Sequence, residues 1–310
     1  NKMAYPAVAG QPVYTGVFIP EIWSTKMIEK YYDNTVLSSI SNTDYEGEIK
    51  NQGDKVIIRT HATLVINDYE IGQTLTNQQP IGGKIELLID KGLYWSAIID
   101  DVVAKQQDID QMNDWASDAA EQMKIKVDTE VLASIVPDIA AENVGVAAGR
   151  ISGDINLGAT GSAVVITKAN VLEQILLQGQ VLDEQNVPES GRFIVLPFWI
   201  TTLLKLSDIK DASLTGDGTT PLRNGRVGMI DRFTVYNSNL LPTYDDGGNT
   251  CTNMIAGTKA GLTFATQLTK TEELRAESTF GDIMRGLIVY GHKVVKPEAL
   301  CSSYVTRTNI

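Results

Sequence analysis

From Asp108 to Val136, apolar side chains return every three or four residues, at Ile109, Met112, Ala116, Ala119, Met123, Val127, Val131 and Ile135. That spacing predicts one continuous stripe along a helix. Asp108 stands where the first turn needs a cap, Gln111 occupies the capping-box position, and Pro137 supplies the stop. At 1.5 Å per residue the segment predicts a helix ~43 Å long, enough to run the length of a domain. Ahead of it, Val56-Ile57-Ile58, Lys84 to Ile89 and Tyr94 to Ile99 carry the β-branched and aromatic runs of strands. Residues 67–83 between them are polar and include Gly72, Pro80, Gly82 and Gly83. The simplest arrangement is a long β-hairpin whose middle is too polar to be core, and such a hairpin is poorly stable alone. Nearer the N-terminus, FIPEIWSTKMIEKYY predicts a short helix from about Glu21 to Tyr32. Before it, proline, glycine and small side chains suit an extended arm.

Past the long helix, residues 138–163 are small and glycine-rich and read as a boundary. A second unit begins with a helix from Thr167 to Gln178, capped by Thr167 and closed by Gly179. The turn-rich LDEQNVPESGR (182–192) leads to a strand at Phe193 to Leu196 and a helical patch at Phe198 to Leu206. A glycine-rich loop spans 211–221, and Asn224-Gly225 signals a turn. Strand-like runs recur at Phe233 to Tyr236, Met254 to Ala256, Leu262 to Ala265, and from 286 up to Pro297. The pattern has no internal repeat. The class is α+β, and 310 residues suit two domain-sized units.

Charge narrows the function. Lys and Arg number 26 against 38 Asp and Glu, a net −12, which argues against a protein that grips nucleic acid through displaced counterions. Residues 100–130 hold nine acids and three bases, so half of that charge lies on the long helix and its lead-in, as a solvated face. The strongest apolar run, 193–206, is shorter than a membrane span and is interrupted by Pro197 and Lys205. The chain therefore reads as soluble, with no membrane partner.

Candidate chemistry is sparse. Cys251 and Cys301, fifty positions apart, make neither a disulfide framework nor a thiolate metal site. His61 and His292 each lie in strand-like sequence without a second histidine and read as structural. Gly82-Gly83-Lys84 lacks the hydroxyl residue and upstream glycine of a phosphate loop, and Gly216 and Gly218 lack the third glycine of a dinucleotide fingerprint. Asp100-Asp101 reads as two acids on opposite faces of a strand, and Asp245-Asp246-Gly247-Gly248 as a turn. No catalytic, cofactor or metal residue is assigned.

Seven strings, in order along the chain, resemble the major capsid proteins of tailed bacteriophages with the Hong Kong 97 fold, in the coat-protein branch. They are FIPEIWSTKMIEK (18–30), DYEGEIKNQGDKVIIR (44–59), INDYEIGQTL (66–75), LLIDKGLYWSAIIDDVVAKQ (87–106), LDEQNVPESGRFIVLP (182–197), NGRVGMIDRFTVYNSNLLP (224–242) and GLIVYGHKVVKPEAL (286–300). The resemblance implies an N-terminal arm and short helix at 1–45 and an extended hairpin, the E-loop, at 46–99. It also implies a peripheral domain on a long spine helix at 100–163 and 266–310, and an axial domain at 164–265. Arm and hairpin would lie on neighbouring subunits, with Tyr14, Phe18, Tyr69, Glu70, Ile71, Pro80 and Lys84 as expected intersubunit contacts. The implied function is self-assembly as hexamers and pentamers into an icosahedral head, built in the host bacterial cytoplasm. The head would enclose double-stranded DNA without specific binding, with portal, scaffolding and decoration proteins as further partners. Some members weld subunits through an E-loop lysine; Lys84 and Lys91 lie in or near the hairpin, but no dedicated motif surrounds them, so the expectation is no cross-link. Two other readings stay open: an encapsulin-like nanocompartment shell, and a soluble hydrolase using carboxylates.

Overall fold

The computed structural model describes residues 32–45, 55–62, 64–106, 111–207, 228–277 and 279–307. The helix expected over 21–32 falls almost wholly outside them. So do Tyr14, Phe18, Asp108, Ile109, the loop 211–221 and the Asn224-Gly225 turn.

Three sheets and five helices organise the described chain. Strands β1 (Lys55–Arg59) and β2 (Lys84–Leu88) form an antiparallel pair. Strand β3 (Lys91–Asp100) joins β10 (Leu262–Arg275) and β11 (Gly281–Val294) in an antiparallel sheet of order β10-β11-β3. The third sheet has seven strands: β4 (Val164–Ile166), β5 (Arg192–Leu196), β6 (Met229–Ile230), β7 (Phe233–Asn237), β8 (Thr243–Asp246), β9 (Asn249–Thr258) and β12 (Leu300–Arg307). Its order is β4-β12-β9-β5-β7-β6, with β8 on the outer part of β9. The helices are α1 (Leu37–Ile40), α2 (Asp101–Gln106), α3 (Gln111–Ile135), α4 (Val171–Glu184) and α5 (Phe198–Leu206).

Two groupings expected from sequence change here. β3 is not part of the hairpin; it pairs with β11 along its whole length, from Lys91 opposite Tyr290 to Asp100 opposite Gly281. β12 sits between β4 and β9 in the large sheet, so residues 300–307 do not stay with β10 and β11 as the 266–310 block expects. Both are long-range pairings that local pattern does not encode.

The large sheet explains its own sequence. β5 is buried along its whole length, and after Arg192, whose guanidinium pairs with Asp183, it reads as an unbroken apolar run, because both sheet faces are covered. Ile194 and Leu196 pack with Ile175 and Leu182 of α4 and Ile200 and Leu204 of α5. Phe193 and Val195, on the opposite face, pack with Val127, Val131, Leu132 and Ile135 of α3 and with Tyr290 of β11. The C-terminal half of α3 is therefore the element that joins the two larger sheets.

That placement divides the expected stripe. Val127, Val131 and Ile135 are buried, as is the unforeseen Leu132, whereas Met112, Ala116, Ala119 and Met123 are only half-buried. The helix ends at Ile135, and Pro137 lies in the 3-10 turn that follows. Asp128, counted with the solvated acidic face, is instead buried; its carboxylate accepts from the backbone N–H groups of Val36 (2.5 Å) and Leu37 (3.2 Å). It thus caps α1, which has no cap of its own. Burial raises the Asp128 pKa against the pull of those two N–H groups.

Helix α4 begins and ends later than its sequence signals suggest. Asn170 is its N-cap, with Thr167 one turn upstream donating its backbone N–H to the Asn170 side chain (2.7 Å). Gly179 lies inside the helix, where a Cβ would meet the ring of Phe233 at 3.4 Å. The stop is Asn186, left-handed at φ 56°, with Val187 N–H bonded back to Leu182 C=O at 3.1 Å. The 138–163 segment is not a loose boundary either. Ile139, Asn143, Ala148, Ile155 and Leu157 are buried, and Asn143 donates to the carbonyls of Glu298 and Leu300.

Candidate assembly surfaces

The hairpin is rooted firmly and exposed beyond its root. Val56, Ile58, Leu87 and Ile89 pack around Ala265 of β10. β2 approaches β11 so closely that a Cβ on Gly291 would lie 2.0 Å from the Leu88 carbonyl oxygen, so only glycine fits there. The ladder ends with Thr60 N–H on Gly83 C=O (2.9 Å). Beyond that point, residues 64–83 are all exposed.

Two devices organise this exposed loop. Gln78 holds the opposite limb through both ends of its amide, accepting from Val65 N–H (3.0 Å) and donating to Val65 C=O (2.8 Å). The tip is a turn closed by Gln73 N–H on Glu70 C=O (3.0 Å), with Gly72 at φ +88° supplying the left-handed position of a type II turn. Gln73 also accepts from Glu70 N–H at 2.9 Å. The tip therefore presents Tyr69 (66% exposed) and Ile71 (100%), followed along the limbs by Ile66 (90%) and Ile81 (87%). Of the expected contacts, the loop brings Tyr69, Glu70 and Ile71 together at its tip. Pro80 and Lys84 lie on the returning limb, where Lys84 donates to Glu86 at 2.8 Å. Lys91 is elsewhere: its ammonium pairs with Glu130 of α3, which also accepts from Tyr290 at 2.7 Å. Hydrogen bonding from Lys91 holds the Glu130 carboxyl below its usual range.

A second exposed region lies at the far end of the three-stranded sheet. β3 is an edge strand of that sheet and turns Tyr94 and Ile98 outward. At its end, Phe280, Val102 and Val103 are exposed beside one another, with Asp101 N–H bonded to Phe280 C=O at 3.0 Å. Arg275 ties this end together by donating to Asp101 (2.8 Å) and Asp282 (3.0 Å), and those two carboxylates raise its pKa. Sequence alone did not single out this region, because the contact between the β10–β11 turn and α2 spans more than 170 positions.

Of the groups weighed as chemistry, Asp100, Asp245, Asp246 and His292 have structural partners. Asp100 caps α2 by accepting Val102 N–H (2.9 Å). Asp245 accepts Gly248 N–H within the expected turn (2.9 Å), and Asp246 accepts Gly161 N–H (2.5 Å). His61 is exposed just past the end of β1. His292 is half-buried, its Nε2 2.5 Å from Ser134 Oγ; burial and the nearby Lys91 ammonium lower its pKa. Cys251 and Cys301 are free and buried on adjacent strands, out of register with one another. Among the described residues, no three or more His, Cys, Asp or Glu side chains gather to hold a metal, and no helix is long and apolar enough to cross a membrane.

A family model described as phage capsid protein matches residues 92–303. A solved structure from Mycobacterium phage Che8 superposes with a TM-score of 0.77 at 24% identity, covering 94% of this chain and 98% of that one. The capsid structure of the cyanophage P-SCSP1u gives 0.72 at 14% identity, covering 94% of each chain. The mature capsid of bacteriophage PhiM1 gives 0.67 at 17% identity, covering 94% and 92%. A comparison with curated proteins finds no match.

Proposed function

Because the chain belongs to the phage capsid protein family and is a structural protein of the phage head with the Hong Kong 97 α+β fold, we propose that its two exposed regions are the contacts by which copies of it close into hexamers and pentamers of an icosahedral shell. The observation that carries this reading is the hairpin loop. Its backbone is anchored at the root, yet Ile66, Tyr69, Ile71 and Ile81 lie in water. A monomer gains nothing from holding four large apolar side chains there, whereas a neighbouring subunit that covers them gains ~1.5–3 kcal/mol for each one fully buried.

In this arrangement the arm ahead of Tyr32 and the exposed part of the hairpin reach neighbouring subunits, whereas Val36, Leu37 and Ile40 pack into the core of their own subunit. The peripheral unit is α3 with the β3-β11-β10 sheet, and the axial unit is the large sheet, set around the capsomer axes. Tyr69, Glu70, Ile71, Pro80 and Lys84 contact the next subunit, and repeated weak contacts give the shell its stability. Subunits hold without covalent links, since no dedicated cross-linking motif surrounds Lys84 or Lys91 and Lys91 is paired with Glu130. The acidic wall encloses double-stranded DNA without adsorbing it, in a head assembled in the bacterial cytoplasm with portal, scaffolding and decoration proteins.

Light scattering and electron microscopy of the purified protein test the reading. The expected result is closed particles tens of nanometres across that run as monomer on a denaturing gel. A species that stays monomeric or dimeric under all assembly conditions refutes it.

A further inference from the structure

Two side-chain bonds tie the C-terminal end of α3 to β11: Tyr290 to Glu130 and, one turn on, His292 to Ser134. In the second, Ser134 Oγ lies 2.5 Å from His292 Nε2 and also reaches the Val131 carbonyl oxygen at 2.8 Å. His292 Nδ1 is buried and has no hydrogen-bond partner among the described residues. Together these contacts fix the state of the ring. A hydroxyl carries one proton. Donated to Val131 C=O, it leaves Ser134 Oγ to accept from His292 Nε2–H. The neutral imidazole then keeps its bare lone pair at Nδ1, an unmet acceptor. The other tautomer buries an unmet N–H instead, and such orphans are rarer. Imidazolium buries that same N–H together with a positive charge, which costs more again. We propose that His292 is an acid-sensitive pin: it is neutral, with its proton on Nε2, while α3 is seated, and uptake of a proton at Nδ1 releases the end of α3 from the sheet.

Charged groups approach the ring from several sides. Lys91 stands at the start of β3 with Asp90 just before it, Glu130 lies on α3, and Asp138 follows the helix. Tyr290 and Lys293 flank the ring on β11 itself, and the residue opposite it on β10 is Phe264. Imidazolium would need a carboxylate at Nδ1, and none bonds there. Glu130 is taken by Lys91 and the Tyr290 hydroxyl, Asp138 by Lys293 (2.7 Å), and Asp90 is exposed. Burial first and the Lys91 ammonium second therefore outweigh the acids, and the His292 pKa is lowered.

The pin sits where release has consequences. Val127, Val131, Leu132 and Ile135 of α3 pack between the two larger sheets, so a loosened last turn weakens the link between them. A histidine whose folded pKa is depressed stabilises the fold fully above its unfolded pKa of 6.5, and that contribution is lost as pH falls below it toward the folded value. The loss begins before ordinary carboxyl groups take up protons. The inference does not rest on the assembly reading, because the pin lies within one subunit.

The chain has only two histidines, so each ring can be followed separately. Deuterium exchange at imidazole C2 is measured by mass spectrometry on the full chain from about pH 4 to about 9, with exposed His61 as the reference. The His292 profile is expected to inflect at lower pH than that of His61; an inflection at the same pH or higher overturns the proposal. Amide exchange on the same protein, corrected for its intrinsic pH dependence, reads the release. Protection across 131–135 and 290–294 is expected to fall by up to tenfold per pH unit below about 6.5, with α4 unchanged. Constant protection there, or an equal fall in α4, overturns the proposal. His292→Gln keeps an N–H donor for Ser134 without titrating and is expected to abolish the pH dependence; a variant that still loses protection refutes the pin. If that variant does not fold, the two measurements on the unaltered chain decide.

Discussion

Glu184, in the last turn of α4, accepts from the backbone N–H groups of Ile151 (2.8 Å) and Ser152 (3.1 Å) and from the Gln180 amide (3.2 Å). Partial burial pushes its pKa up, but these donors outweigh that and bring it down to about 2. A carboxyl depressed in the folded state stabilises the fold above its unfolded pKa, and that contribution is lost as pH falls through the folded value. The window here runs from about pH 4.5 down to about 2. Glu184→Gln is expected to cost about 1 kcal/mol at pH 7, a figure kept small by solvent screening. The gap to the unaltered protein should close across that window in thermal melts at stepped pH; a gap constant with pH would contradict the assignment. Residues of this kind were not legible in sequence. Glu184 looked like one more acid in a turn, and Asp128 like part of a solvated face, because their donors are backbone groups 33 and 92 positions away. Asp245 was legible, since its partner is three residues on and the diglycine announces the turn.

Among elements, those defined by local pattern came through with small shifts. The helix at Phe198 to Leu206 and the strands at Val56 to Ile58, Phe193 to Leu196 and Phe233 to Tyr236 lie where their side chains predict. Helix α4 shows how a local signal is overridden: Gly179 is a breaker by propensity, but it lies in mid-helix packed against the Phe233 ring, and the stop comes at Asn186. The hairpin loop carries its own prediction. Replacing residues 64–78 by a two-residue Asn-Gly turn removes exposed chain that the described body does not pack against. The melting temperature of the unassembled chain should therefore change by no more than about 2 °C, while particle formation is abolished. Calorimetry and negative-stain microscopy on the same preparation separate the two effects. A large drop in melting temperature would mean the loop packs on its own subunit, and normal particles would remove it from the contacts.

At the scale of the whole molecule, −12 per subunit is a barrier to assembly before it is a property of the shell wall. A hexamer gathers −72, and at low ionic strength that repulsion extends over distances comparable to a subunit contact. Raising salt from ~0.01 M to ~0.1 M shortens the screening length from ~30 to ~10 Å. Particle yield at fixed protein concentration should then rise several-fold, measured by sedimentation or light scattering. A fall in yield with salt would show that complementary charges between subunits outweigh the net repulsion.

The amino-acid sequence by itself determined the α+β class, the long central helix, the under-supported hairpin with its polar middle, the acidic balance and, through seven ordered strings, the resemblance to phage capsid proteins. Each is carried by composition or by neighbours within a few residues, which is the range over which periodicity and turn chemistry act. Tertiary structure alone decided which half of α3 is core, that β3 pairs with β11, that β12 completes the large sheet, and that Asp128 caps a helix far upstream. Those outcomes depend on burial and backbone pairing between segments up to about 200 residues apart. A side chain's solvation there is set by what the fold brings against it, and no stretch of sequence records that.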